Sequence, residues 1–212
     1  MKSLQGLGLC LLIGAKLIAA EPIVDVNEVL TELEKTFSTI KSVQTDFVQT
    51  KQLKLFKHPV KLKGHLLLQV PDHLLWRVHE PIMYAFMLKG KKAVEWDQET
   101  GKTKELPFTG SPMFEQILVQ IKSWFSGEFS QLKKSYDLEI LSKTPLILGF
   151  TPKEDNHAKH AILKMRVKIR EDCRYIESIT IFEVNGDLTT TEFQGVILNE
   201  EIPAKAWEVS PQ

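Results

Sequence analysis

Four stretches of this chain are apolar almost without interruption: Leu66-Leu67-Leu68, Leu74-Leu75-Trp76, Ile82 through Leu88, and Pro145 through Phe150. Each is short and bounded by turn residues, so each reads as a strand rather than a helix. Strands of an antiparallel sheet normally alternate apolar with polar residues, because one face meets water. Where four strands fail to alternate, both faces of the sheet must be covered, either by protein or by a ligand. By strand geometry only one of the two sets in each run can face inward.

The rest of the chain supports a sheet. Val26, Val29, Leu30, Leu33, Phe37 and Ile40 follow helical spacing, with Asp25 and Glu28 placed as a variant capping box. Strand-like runs follow at Val43–Leu55, Lys61–Val70, His73–His79, Tyr84–Leu88 and Ala93–Trp96, with turn signals continuing to about Lys104. Pro71-Asp72 joins two of them as a tight turn. A second helix is predicted from Ser111-Pro112, an N-cap with proline in the first turn, through Phe114, Ile117, Leu118, Ile121, Trp124 and Phe125 to Gly127. Phe129 and Leu132 suggest a further short helix. Strands resume at Tyr136–Leu141, Leu146–Thr151, His160–Ile169, Arg174–Val184 and Leu188–Phe193. Asn185-Gly186 suggests a tight hairpin with positive φ at both central residues. The expected architecture is mainly β with helices: an incomplete, strongly curved antiparallel barrel covered by α-helices.

The first twenty residues, MKSLQGLGLCLLIGAKLIAA, combine Lys2, a short apolar stretch and the small pair Ala19-Ala20, the layout of a cleaved secretory signal. Lys16 leaves that stretch too short for a membrane span, which needs about 20 apolar residues. Residues 21–212 are then expected to form a single domain. Lysine and arginine balance aspartate and glutamate at 27 each, so a basic footprint for nucleic acid is missing. Cys173 is the sole cysteine after the leader, and an exported domain of this length can rely on its core without a disulfide.

Catalytic groups are hard to assemble from this sequence. Ser111 reads as a helix cap, and no Gly-x-Ser-x-Gly frame surrounds any serine. His157 and His160 lie three apart without the companions that zinc needs, and no glycine-rich phosphate loop is present. Neither a cofactor nor a metal is expected. What remains is the apolar excess, which either makes an ordinary core or lines a hydrophobic cavity. The candidate lining is Leu66, Leu68, Leu74, Trp76, Met83, Phe86, Met87 and Trp96 on the strands, with Phe114, Ile117, Leu118 and Ile121 on the second helix. Methionines suit such a lining because unbranched thioethers repack around variable ligands.

The leader, the early helix followed by SVQTDFVQTKQLKLFKHPVKLKGHLLLQVPDHLLWRVHEP, the KGKKAVEWDQETG segment and the closing IESITIFEVNGDLTTTEFQGVILNEEIPAKAWEVSP resemble, in that order, the LolA-type periplasmic lipoprotein carriers. The resemblance spans nearly all of the chain after the leader, and the order of the segments carries it. It implies an incomplete barrel closed by helices around an apolar cavity. That cavity would receive acyl chains of a lipoprotein from an inner-membrane transporter and pass them to an outer-membrane receptor, with the carrier working as a periplasmic monomer. In those carriers an arginine precedes the proline of the Pro71 turn and holds a lid closed; here the residue is Val70, and Arg77 does not occupy that position. Another acylated lipid or glycolipid as cargo, or an envelope interaction module without ligand, are the alternatives. A buried methylene contributes ~0.8 kcal/mol, so a palmitoyl-sized chain offers on the order of 12 kcal/mol. Release then requires a cover that costs energy to open, and the Phe114–Phe125 helix is the expected lid.

Overall fold

The computed structural model describes residues 25–90, 92–106 and 122–210. Ser111, Phe114, Ile117, Leu118, Ile121 and the expected leader, residues 1–20, lie outside the described residues.

The chain begins with α1 (Val26–Phe37), capped by the Asp25 carboxylate, which accepts the Asn27 backbone N–H at 2.9 Å. Its apolar stripe buries Leu30, Leu33 and Phe37. Ile40 continues the stripe in sequence but lies in the turn after the helix, where its N–H donates to the Phe37 carbonyl. Six strands follow: β1 (Ser42–Gln52), β2 (Val60–Gln69), β3 (His73–Glu80), β4 (Tyr84–Lys89), β5 (Lys92–Asp97) and β6 (Thr103–Leu106). Residues 122–125 are helical, and α2 (Phe129–Leu132) comes next. Five strands complete the fold: β7 (Tyr136–Lys143), β8 (Leu146–Pro152), β9 (Ile162–Ile169), β10 (Ile176–Glu183) and β11 (Leu188–Leu198).

All eleven strands form one antiparallel sheet in the order β6-β5-β4-β3-β2-β1-β11-β10-β9-β8-β7. Each half is a meander, and the halves join where β1 pairs with β11. The edge strands β6 and β7 are not bonded to each other, so the sheet curls without closing. One continuous core joins β1–β4, β8–β11, α1 and the helical residues Trp124, Phe125 and Phe129 on the concave side.

Several expected boundaries move. Strand β6 was not expected as a separate element; it is short and mostly exposed, with no apolar run to announce it. Strand β11 extends to Leu198, past its expected end at Phe193. Gly195, at φ +61°, lets it continue through a register shift opposite Thr45. At the Asn185-Gly186 turn only Gly186 has positive φ, +85°. The N–H of Glu183 reaches the Asp187 carbonyl, so the loop is longer than the expected two-residue turn. His160 belongs not to β9 but to a 3-10 turn, His157–His160, capped by Asn156.

Candidate functional site

The apolar runs divide by parity between two faces. Leu66 and Leu68 of β2, Leu74, Trp76 and Val78 of β3, and Phe86 and Leu88 of β4 point to the concave side and join the large core. Leu67, Leu75 and Ala85 point to the convex side and form a second, smaller core. Register enforces this division: Leu66 pairs with Trp76 and Trp76 with Phe86, while Leu67 pairs with Leu75 and Leu75 with Met87.

Aromatic rings fill the concave side. Phe47 stacks on Trp76 with ring centroids 3.8 Å apart, Phe125 meets Phe193 edge-on at 5.4 Å, and Phe37 meets Phe129 edge-on at 5.4 Å. Trp124 lies against Phe150 and is fully buried, and its indole N–H has no hydrogen-bond partner among the described residues. Gly127 ends this helical stretch at φ +74°, where a Cβ would crowd the Phe37 side chain at 2.8 Å. Polar bonds tie the two helical elements together. The Glu34 carboxylate accepts the Ser130 N–H at 2.5 Å, and Lys133 donates to the Asn27 side chain. Together α1 and residues 124–132 make a joined apolar cover.

An open recess of ≈ 570 Å³ lies between α1 and the turn ends of β7 to β10. Val29, Leu33, Ile140 and Leu146 give it an apolar lining, with Cys173 on its wall and Glu28, Glu32 and Lys143 at its mouth. Cys173 sits in the β9–β10 turn at φ +55°, half-buried.

The convex side is covered by the end of the chain. Ile202, Ala206, Trp207 and Val209 pack on Leu67, Leu75, Ala85 and Met87, with Ala204–Trp207 forming a 3-10 turn. The Trp207 indole stacks on the His73 imidazole, 3.5 Å between centroids and 12° between planes. Arg77 donates to the backbone carbonyls of Ala206, at 3.4 Å, and Glu208. Burial pulls both basic groups below their ordinary pKa; Lys89 adds to the effect at His73, with Asp72 opposing it, and Glu208 opposes it at Arg77. A groove of ≈ 510 Å³ runs beside this strap past Tyr84, Trp96 and Val209.

The model of the family described as outer membrane lipoprotein carrier protein LolA matches residues 38–210. The chain belongs to the LolA family. No curated protein sequence matches it. Among solved structures, the LolA-like fold is shared with a DUF1329 family protein from Desulfovibrio piger, at 10% identity and a TM-score of 0.51, covering 87% of this chain and 98% of that one. A conserved protein from Thermus thermophilus is similar at 9% identity and a TM-score of 0.52, over 85% of this chain and 91% of that one. The MucA/MucB complex of Pseudomonas aeruginosa contains a chain similar at 11% identity and a TM-score of 0.52, over 87% of this chain and 61% of that one. At these identities the likeness concerns the fold alone.

On the LolA frame, the residues singled out from the sequence do not form one lining. Leu66, Leu68, Leu74, Trp76 and Phe86 come together on the concave face. Met87 lies on the convex face under the strap, because its position in β4 has the parity of Ala85. Trp96, paired with Ala85, shares that face and lines the groove beside the strap. Met83 precedes β4 and is exposed. Phe114, Ile117, Leu118 and Ile121 lie outside the described residues. Phe47 and Phe193 are not among the sequence candidates, although alternation within β1 and β11 was a usable signal, and Phe150, at the end of the fourth apolar run, was not singled out as lining. The sequence reading also missed the strap, whose Ile202-Pro203 and Ala206-Trp207 have no strand or helix period.

Proposed function

We propose that this LolA-family protein is a periplasmic carrier that takes the acyl chains of a lipoprotein between the concave sheet face and its helical cover. The observation that carries the reading is the concave layer of Leu66, Leu68, Leu74, Trp76 and Phe86, which joins one continuous core with α1 and residues 124–132 rather than with a second sheet. Helices laid on a sheet through side chains can lift as a unit without breaking strand pairing. The recess at Val29, Leu33, Ile140 and Leu146 supplies an apolar opening where a chain end enters beside α1.

Energetics require the cover. A palmitoyl-sized chain offers on the order of 12 kcal/mol if every methylene is buried. Separating the aromatic contacts Trp124–Phe150 and Phe125–Phe193 between cover and sheet offsets part of this, so the net affinity stays low enough for release. In this reading the side chains only bind and exclude water, and no covalent step takes place. Residues 1–20 direct export, an inner-membrane transporter loads the cargo, and an outer-membrane receptor removes it. Val70 occupies the place of the lid arginine in other carriers, so closure here rests on apolar contacts.

Native mass spectrometry of protein purified without detergent from the envelope of its own cell, followed by organic extraction, tests the proposal. Bound acylated molecules are expected, and their head groups distinguish lipoprotein from another lipid. A ligand-free mass, with no uptake of a fluorescent fatty acid, would overturn it.

A further inference from the structure

Large apolar side chains are exposed mainly at one end of the sheet. In an antiparallel meander alternate turns share an end, and here one rim carries the β1–β2, β3–β4, β5–β6 and β10–β11 turns. Leu55 is 95% exposed and Phe56 62% at the β1–β2 tip; Ile82 and Met83 are exposed at the β3–β4 turn, and Val184 at the β10–β11 turn. Leu163, second residue of β9, is exposed next to Ile162, which pairs with Glu183 at this end. Among the described residues, only two other large apolar side chains, Leu141 and Ile197, are comparably exposed.

The longest of these tips is itself basic, while the neighbouring turns of the rim carry Glu80, Asp97, Glu99 and Asp187. From Phe47 to Pro71 the chain holds Lys51, Lys54, Lys57, Lys61 and Lys63, with His58 and His65, and no acid. Lys63 pairs with Glu80 at 2.8 Å. Among the described residues Lys51, Lys54, Lys57 and Lys61 have no ion-pair partner. The tip is also held in place rather than free. The Lys54 N–H donates to the Asp187 carboxylate at 2.9 Å, the Phe56 N–H donates to the Leu53 carbonyl at 2.9 Å, and the Lys54 stem lies over Gly186.

We infer that this rim docks on an anionic lipid bilayer, with Leu55 and Phe56 inserted among the acyl chains and Lys51, Lys54, Lys57 and Lys61 on the acidic headgroups. Exposing large apolar residues to water at protruding tips is unfavourable, and insertion into a bilayer relieves that cost. Lysines beside such residues add attraction to acidic lipid that falls off within a Debye length. Met83 borders the groove beside the strap, but Leu55, Phe56, Ile82 and Val184 project from three separate turns, which suits a deformable surface better than a protein partner. The inference does not rest on the carrier reading, because the rim lies outside the concave layer.

The test is co-sedimentation of processed protein, its N-terminus verified by intact mass to exclude the apolar leader, with vesicles of phosphatidylcholine and phosphatidylglycerol. The expected result is binding to vesicles containing about 30% phosphatidylglycerol. It should weaken at least about tenfold on neutral vesicles or at high salt, and at least about tenfold in Leu55→Ser/Phe56→Ser. Both positions are exposed, so circular dichroism and unfolding of that variant should match the parent. Lys57→Gln/Lys61→Gln should lose the preference for anionic lipid but keep residual binding. No sedimentation of the parent protein, or sedimentation unchanged in both variants, would overturn the inference. Acyl-ligand uptake measured in parallel reports on the carrier reading separately.

Discussion

The Phe47 ring lies directly over Gly64, its cross-strand partner in β2. From there it reaches Trp76 and stacks on the indole, so that β1 and β3 meet across a residue with no side chain. A Cβ at position 64 would collide with the edge of the Phe47 ring and with the Arg77 carbonyl oxygen. The backbone oxygen has nowhere to retreat within the β2–β3 ladder. Gly64→Ala should therefore destabilise the fold by about 3 kcal/mol, at the upper end of ordinary overpacking. Urea unfolding measures this, and Phe47→Ala in the same chain should add less than it costs alone because one of the two collisions is gone. A stable Gly64→Ala protein would mean that neither the Phe47 ring nor the Arg77 carbonyl closes over this position.

Removing the strap's main anchor should expose the second core. Trp207 is half-buried, stacks on His73 and shields Leu67, Leu75 and Met87. Trp207→Ala should cost about 2 kcal/mol, less than a fully buried tryptophan. It should also increase binding of a dye that reports exposed apolar surface. Loss of stability without a gain in dye binding would mean that the strap stays seated without its indole.

Acid should loosen the same contact. Burial, with Lys89 nearby, holds the His73 pKa below that of a free histidine, so the folded state favours neutral imidazole. The unfolded chain then binds more protons as pH falls below about 6.5, and stability falls with it. The contribution is fully present above the unfolded pKa and is lost as pH drops through the folded value. His73→Phe keeps a ring for Trp207 and removes the titration. Denaturant unfolding at pH 7.5 and pH 5.5 should show a larger acid loss in the parent than in this variant, and equal losses would exclude His73 as the cause.

The sheet was largely legible in the sequence because turn residues punctuate it. Pro71-Asp72 and Asn185-Gly186 mark hairpins whatever the tertiary context, and Asp25 marks the start of α1. The continuous runs correctly signalled that both faces of β2–β4 are covered, but not by what. Assigning Leu66 and Leu68 to one face needed only a parity choice, which the sequence leaves free. Met87 and Trp96 went to the convex face because their registers tie them to Leu75 and Ala85, and pairing register is not written in the composition of either strand. The strap escaped notice because a segment held by Trp207, Arg77 and three small apolar contacts has no period to detect.

Cys173 offers a reporter for the recess beside α1. It lies on the wall opposite Val29 and Leu33 and is half-buried, so a maleimide should reach it slowly in the empty protein. An acyl chain entering past Ile140 and Leu146 would cover the thiol, and loading with a long-chain fatty acid should slow labelling by about tenfold. Ile140→Trp would fill the opening from a half-buried strand position. It should reduce fatty-acid uptake by about tenfold while changing stability by no more than about 1 kcal/mol. In that variant labelling should be slow with or without ligand. Uptake that survives Ile140→Trp, together with labelling indifferent to ligand, would move the acyl entrance away from α1 and toward the opposite end of the concave face.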